Sequence, residues 1–380
     1  MLLKINRFYK FVIIFFLILL FDYLFSFFIK TKDFWNQIYP DKYWRIHSYV
    51  YHHDLKANVD VVESWGSYQY KFITNSLGFR DFENRNILKI NSKKKRILLI
   101  GDSMTEGALE YSSSYSGLLT KYLKKDYEVL NAGVGSYSPS NYYYKIKYYI
   151  DQGYKFDHIV IFLDISDVVD ELQYKYDNND NLILNNNFYK KKISSKIFLY
   201  LRDNFITFRT ISLIIDNSEK LKNSIKFKYK SSIFFKKDYL SISKKDSELY
   251  KMINLDTGAW TQNADKFRYN IKNVDSGIKR AEKNLLKLFN LAEENKIIVT
   301  LTIYPWPNQI YFKDEFYKKH WADFSMKNNV NFIDLYDDII DPKKSSEENI
   351  LENYIIGDIH FNKNGNIKIF NALKKKLKLN

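Results

Sequence analysis

Five runs rich in apolar residues, at residues 96–100, 127–130, 158–163, 297–303 and 330–335, constrain this 380-residue chain more than any other feature. In the first and third, residues 97–100 and 159–163 are apolar without interruption. A strand that is apolar on both faces has to be covered on both faces, which is the situation of central strands in a parallel sheet. The chain between the first two runs, residues 109–125, can be helical. Ahead of the fourth run, Ile278, Ala281, Leu285, Phe289 and Ala292 recur at helical spacing. A final amphipathic helix is expected after the segment 357–366. Strands alternating with helices predict an α/β fold, a parallel sheet with right-handed crossovers and helices on both faces.

Two segments break the alternation. Residues 33–94 are polar and aromatic, and read as a stem and N-terminal extension. Residues 171–270 are rich in Lys, Asn, Phe and Tyr and carry no clean strand, so they read as an insertion with its own helices, residues 198–215 among them. At the start of the chain, residues 11–29 are apolar except for Asp22 and Ser26. Nineteen residues at about 1.5 Å each just span a hydrocarbon core of about 30 Å. Lys4, Arg7 and Lys10 precede the run, and no small-residue cleavage site follows it. The reading is an uncleaved transmembrane signal anchor over 1–32, with the N-terminus in the cytoplasm and the rest outside, in a bacterial setting the periplasm. The expected domains are therefore 1–32 (anchor), 33–94 (stem), 95–170 with 271–380 (the α/β domain) and 171–270 (insertion).

Composition narrows the function classes. Lys plus Arg is 59 against 44 for Asp plus Glu, a net charge of +15. The basic residues are spread along the whole chain, as are the aromatics, so the charge reads as a solvated Lys-rich surface and no nucleic-acid partner is assigned. The absence of cysteine excludes a disulfide framework, a thiolate metal site and a cysteine nucleophile together. His52-His53-Asp54 resembles a metal site only superficially, because adjacent residues point apart; no metal or cofactor is assigned.

The chemistry gathers at two places. The first apolar run ends in Gly101-Asp102-Ser103-Met104-Thr105-Glu106-Gly107, which puts a serine at the carboxyl edge of the sheet, on a turn into a helix. Free N–H groups and a helix dipole there would stabilise an oxyanion; an ordinary strand–turn–helix junction capped by Ser is the alternative from this segment alone. Near the C-terminus, Gly357-Asp358-Ile359-His360 places a carboxylate two residues before a histidine. A serine hydroxyl needs a base to take its proton, and the base works best when a carboxylate orients it. Of the six histidines, His360 alone has an acidic neighbour in a loop at the end of the α/β pattern.

These residues resemble the SGNH, or GDSL, hydrolase family. Gly101-Asp102-Ser103 resembles its first block, and residues 129–139, Val-Leu-Asn-Ala-Gly-Val-Gly-Ser-Tyr-Ser-Pro, its second. Asp164-Ile165-Ser166-Asp167 stands where the third block belongs, and residues 357–365 resemble the last. Asn75-Ser76-Leu77-Gly78-Phe79-Arg80 looks like a piece found upstream of the serine in many members. The resemblance implies a flavodoxin-like SGNH sheet, Ser103 as nucleophile, His360 as base and Asp358 as the acid. It also implies an oxyanion hole from the N–H groups of Ser103 and Ser136 with Ser166. Three departures stand out: Ser136 replaces a Gly, Ser166 replaces the oxyanion-binding Asn, and Asp358 lies one residue closer to the histidine than the usual Asp-x-x-His.

Two weaker features complete the reading. Trp306, in Tyr304-Pro305-Trp306-Pro307 after the fourth run, falls at the same sheet edge and either stacks on a sugar or packs the core. Asp170-Glu171 reads as a solvated loop start, with an acidic pair behind the site as the alternative. The function implied is a membrane-anchored esterase or O-acyltransferase using an acyl-serine, acting on acylated glycans of the cell envelope. The alternatives are a lipid-directed esterase such as a lysophospholipase, and a degenerate glycan-binding domain.

Overall fold

The computed structural model describes residues 7–28, 44–65, 68–91, 93–178, 180–184, 205, 207, 248–249, 252–253 and 271–379. The chain divides into two units: residues 1–43 with 189–243, and residues 44–188 with 244–380. In the first, helix α1 (Arg7–Phe28) carries apolar side chains outward on all sides, Ile13, Ile14, Phe16, Leu17 and Phe21 among them. Its buried Asp22 accepts a hydrogen bond from the N–H of Thr207 at 3.1 Å. Among the described residues no helix is long and apolar enough to cross a membrane; the side chains at both ends of the run 11–29 lie outside them.

The second unit is built on a five-stranded parallel sheet. Its strands are β5 (Lys95–Ile100), β6 (Tyr127–Asn131), β7 (His158–Leu163), β10 (Ile298–Ile303) and β11 (Asn331–Asp334). They coincide with the five apolar runs to within a residue or two. Their order in space is β11-β10-β7-β5-β6. Read from β6, this is the doubly wound order in which the first strand in sequence lies inside the second and the direction of winding reverses beside it. Every residue of β7 is buried, as a strand covered on both faces must be. Cover comes from two helix pairs: α4 (Pro139–Asp151) packs with α6 (Ile271–Glu294), and α3 (Tyr115–Leu123) with α11 (Lys363–Lys376). Helix α3 starts later than the pattern 109–125 suggests, because the Ser114 side chain accepts the Gly117 N–H and caps it there.

Residues 44–91 contain two hairpins that the sequence reading did not anticipate. One pairs β1 (Arg45–Ser48) with β2 (His52–Leu55), the other β3 (Asp60–Trp65) with β4 (Tyr68–Ile73). A third antiparallel pair, β8 (Tyr174–Tyr176) with β9 (Leu182–Leu184), opens the segment read as strandless. The helix expected over 198–215 lies outside the described residues except for Phe205 and Thr207.

The sheet carries a pH liability. His158 on β7 is 4% exposed and its Nε2 lies 2.8 Å from Thr300 Oγ1. Burial lowers its pKa to about 4 from 6.5. As pH falls below 6.5 the unfolded chain takes up a proton that the folded chain refuses, so stability declines until about pH 4. The cost at pH 4.5 is roughly 2–3 kcal/mol. Urea unfolding of His158→Gln should lose that much less stability than the parent between pH 7 and 4.5. Equal losses in the two proteins would refute this.

Candidate active site

The serine turn is shaped by its neighbours. Strand β5 ends at Ile100, and a Cβ on Gly101 would lie 2.1 Å from Thr105 Oγ1 and 2.9 Å from the Phe162 carbonyl, so only glycine fits. Asp102 caps the short helix α2 (Ser103–Glu106), its Oδ1 accepting the Met104 N–H at 2.8 Å. This leaves Ser103 at the carboxyl edge of β5, next to the strand where the winding reverses. Helix α2 is four residues long, too short to contribute a long helix dipole at this edge.

The C-terminal loop brings the other two groups to it. Ile355 N–H bonds the His360 carbonyl and Asp358 N–H bonds the Ile355 carbonyl, closing a tight turn through Gly357 at φ +81°. Asn362 then caps α11, its side chain accepting the N–H groups of Asn364 and Gly365. The turn holds His360 Nε2 2.9 Å from Ser103 Oγ and His360 Nδ1 2.6 Å from Asp358 Oδ1. The same Oδ1 accepts the His360 backbone N–H at 2.9 Å, which shows how a spacing of two still lets the carboxylate reach the ring. Ser103, His360 and Asp358, named from sequence, thus form one hydrogen-bonded chain. Burial pushes the Asp358 pKa up, but hydrogen bonds and charge from His360, with the Trp65 indole N–H, outweigh it and bring it to about 2. The aspartate is ionised throughout the working range.

The loop of the second block is clamped from three directions. Gly135 N–H donates to Glu106 Oε2 at 2.7 Å, and His53 Nε2 lies 2.8 Å from the Gly135 carbonyl. Tyr174 donates its hydroxyl to the Ser136 carbonyl at 2.8 Å. Ser136 sits at φ +63°, in the left-handed region that glycine enters most easily. A Cβ on Gly135 would lie 3.5 Å from Ser103 Cβ, which places this loop beside the serine. Glu106 is itself gripped by Arg45 in a two-pronged pair, at 2.7 and 3.1 Å. Against the upward push of burial, the Arg45 charge and the Gly135 N–H lower the Glu106 pKa. The backbone N–H groups of Ser103 and Ser136 make no hydrogen bond among the described residues.

Three sequence expectations need correction. The Ser166 hydroxyl donates to Asp164 Oδ1 at 2.7 Å and its N–H to the same oxygen at 2.8 Å, so its proton is committed away from Ser103. Trp306 is 2% exposed and offers no face to a sugar; the core-packing alternative describes it. Asp170 and Glu171 are buried rather than solvated, Glu171 accepting both the N–H and the hydroxyl of Ser140 at 2.6 Å.

Asp164 and Asp167 of the third block form a buried acidic cluster with Asp102 of the first, one oxygen of each lying within 4.8 Å of the others. Burial, and then the Asp164 charge, push the Asp102 and Asp167 carboxyls well above the usual range. The Ser103 hydroxyl also donates to Asp102 Oδ2 at 3.2 Å, a longer contact than the 2.9 Å to His360 Nε2.

Several residues near the site escaped sequence reasoning. Trp65, Arg45, Glu106 and His53 act through contacts across long sequence separations that no local pattern signals. The segment 75–80 was visible as a motif, and its role is now plain. Asn75 organises the turn through Gly78 at φ +78°, and the buried Arg80 guanidinium bonds the carbonyls of Glu106, Gly107 and Leu109 behind the serine helix. The pair Asp54–Lys145 is buried as well, at 2.7 Å, beneath the histidine that holds Gly135.

Fold and site together define a doubly wound α/β domain with a Ser–His–Asp chain at its carboxyl edge. No protein-family model matches this chain, and no curated protein does. Among solved structures it is similar to a GDSL-like lipase from Bacteroides thetaiotaomicron, at 12% identity over 76% of this chain and 90% of that one, TM-score 0.35. It is also similar to an acetylxylan esterase from Geobacillus stearothermophilus, at 12% identity, 77% and 98% coverage, TM-score 0.37. A psychrotrophic esterase from Pseudoalteromonas sp. matches at 11% identity, 75% and 97% coverage, TM-score 0.34. These likenesses are distant, and the chemistry has to be read from the site itself.

Proposed function

We propose that the chain is an SGNH-type serine esterase or O-acyltransferase, held at a membrane by its N-terminal helix and acting on acyl esters of cell-envelope glycans. The observation that carries this reading is the chain from Ser103 Oγ to His360 Nε2 at 2.9 Å and from His360 Nδ1 to Asp358 Oδ1 at 2.6 Å. Ser103 Oγ attacks the ester carbonyl while its proton passes to His360 Nε2. Asp358 holds the Nδ1–H and balances the imidazolium. The N–H groups of Ser103 and Ser136 receive the oxyanion. The C–O bond to the alcohol then breaks as His360 returns the proton to the leaving oxygen, leaving an acyl-serine. Water or a sugar hydroxyl, deprotonated by the same histidine, releases the acyl group.

The glycan substrate rests on the family resemblance in the four sequence blocks. A lipid-directed esterase is the second reading, favoured by the outward-facing apolar side chains of α1, which suit a lipid surface. The experiment is product analysis by mass spectrometry with an activated acetyl ester, with and without envelope oligosaccharide, alongside longer acyl esters. Acyl-sugar that grows with glycan concentration identifies a transferase, and acetate alone a hydrolase. A rate that climbs steadily with acyl length turns the reading to lipid.

The anchor reading combines α1 with the basic Lys4, Arg7 and Lys10, which keep the N-terminus cytoplasmic and set the catalytic domain in the periplasm of a bacterial inner membrane. The intact chain should fractionate with membranes, and deletion of residues 1–32 should release it. An intact chain in the soluble fraction, with a mature N-terminus near residue 30, would contradict the anchor.

A further inference from the structure

The proposed triad has a contact that its mechanism leaves unexplained. Asp358 Oδ1 is occupied twice by His360, through the backbone N–H and through Nδ1. Its other oxygen, Oδ2, accepts the indole N–H of Trp65 at 2.8 Å. Trp65 lies 293 residues away, at the end of β3 in the hairpin that packs on this edge of the domain. Its ring also meets the His360 imidazole edge to face, with centroids 4.5 Å apart at 65°. The ring is seated against a small apolar cluster of Ala108, Leu109 and Ile355, which fixes it from below. One side chain thus touches both the acid and the base.

We propose that Trp65 is a positioning residue of the active site, holding the carboxylate oxygen that His360 leaves free and bracing the imidazole ring. This rests on the hydrolase reading above. The physical need is specific to this chain. The torsion that turns an aspartate carboxyl is broad and nearly two-fold, so a carboxylate held by one oxygen swings easily. Here the loop is one residue shorter than the family's usual spacing, and both bonds to His360 converge on Oδ1. The Asp358 side chain is 28% exposed, so water competes for Oδ2. An indole N–H from a packed ring replaces that water with a donor of fixed direction, and the carboxylate stays aimed at Nδ1 through the proton transfers. A hydrogen bond to a charged group is among the stronger ones in a protein.

The test is Trp65→Phe, which keeps an aromatic ring and removes the N–H. It should lower kcat by about 10- to 100-fold and leave KM within about twofold, because the lost bond orients the base and does not hold substrate. In an Asp358→Ala background the same change should cost less than about twofold, since the oxygen that it served is gone. Equal losses in both backgrounds, or a rise in KM at constant kcat, overturn the proposal. Should Trp65→Phe fail to fold, the indole N–H resonance of Trp65 decides the matter: it should move on Asp358→Ala, and a resonance indifferent to that change overturns the proposal. A parent protein with no turnover at Ser103 refutes the hydrolase reading itself. An active parent whose Trp65→Phe variant is equally active refutes only the role of Trp65.

Discussion

Ser103→Ala is expected to abolish ester turnover, and His360→Ala to lower kcat by about 10⁴- to 10⁶-fold, with the fold intact in both. The size follows from the chemistry. A serine hydroxyl stays protonated at neutral pH, and without His360 no group is placed to take its proton. Asp102 Oδ2 accepts from the hydroxyl only at 3.2 Å, and its other oxygen is held by the Met104 N–H as the helix cap. The fold should survive because the helix cap at this turn is Asp102, not Ser103. Loss of the hydroxyl removes its bonds to His360 and Asp102 and nothing that holds β5 or α2. The measurement is steady-state hydrolysis of p-nitrophenyl acetate with thermal unfolding of the same preparations. Turnover in Ser103→Ala near the parent's would remove the nucleophile from the account.

Asp358→Asn should lower kcat by about 10³- to 10⁴-fold. The change is nearly isosteric, so the Trp65 contact and the turn through Gly357 can persist. An amide nitrogen at the position facing Nδ1 would donate where the carboxylate accepts, favouring the tautomer with the proton on Nε2. That proton would face the Ser103 hydroxyl and block its transfer. The Asp358 carboxylate, with its pKa brought down to about 2, is ionised at any pH where the enzyme works, so the loss should be seen across the whole pH profile and not only on its acid side. Full activity at alkaline pH in Asp358→Asn would show that the carboxylate orients nothing.

How much of this was legible in the sequence depends on how far each signal reaches. The sheet strands are readable because strands buried on both faces are rich in apolar residues, without interruption in most of β5 and β7, and β7 was delimited to the residue. The triad is readable because its chemistry limits the residue types: Ser103 opens a helix after an apolar run, and Asp358 and His360 share one short loop before the last helix. The hairpins at 45–73 escaped because their strands are short and bear polar residues such as His53 and Asp54 that find their partners only in the folded state. The two-residue spacer Gly66-Ser67 between the strands of the second hairpin was the one available hint. Asp170 and Glu171 read as solvated because charge usually is; the Ser140 N–H and hydroxyl that hold Glu171 come from α4, 31 residues earlier. Ser166 could be placed by motif, but the direction of its hydroxyl is set by Asp164 and is invisible in a string of letters. Trp306 lay at the correct edge, yet position along the chain does not tell a stacking platform from a core residue.

The most direct test of the central claim is covalent. The intact protein, treated with a fluorophosphonate probe and digested, should yield one phosphonylated peptide, modified at Ser103. Labelling should be lost in Ser103→Ala and severely slowed in His360→Ala. Labelling that persists in Ser103→Ala, or a parent protein that never labels although folded, would contradict an acyl-serine enzyme at this site.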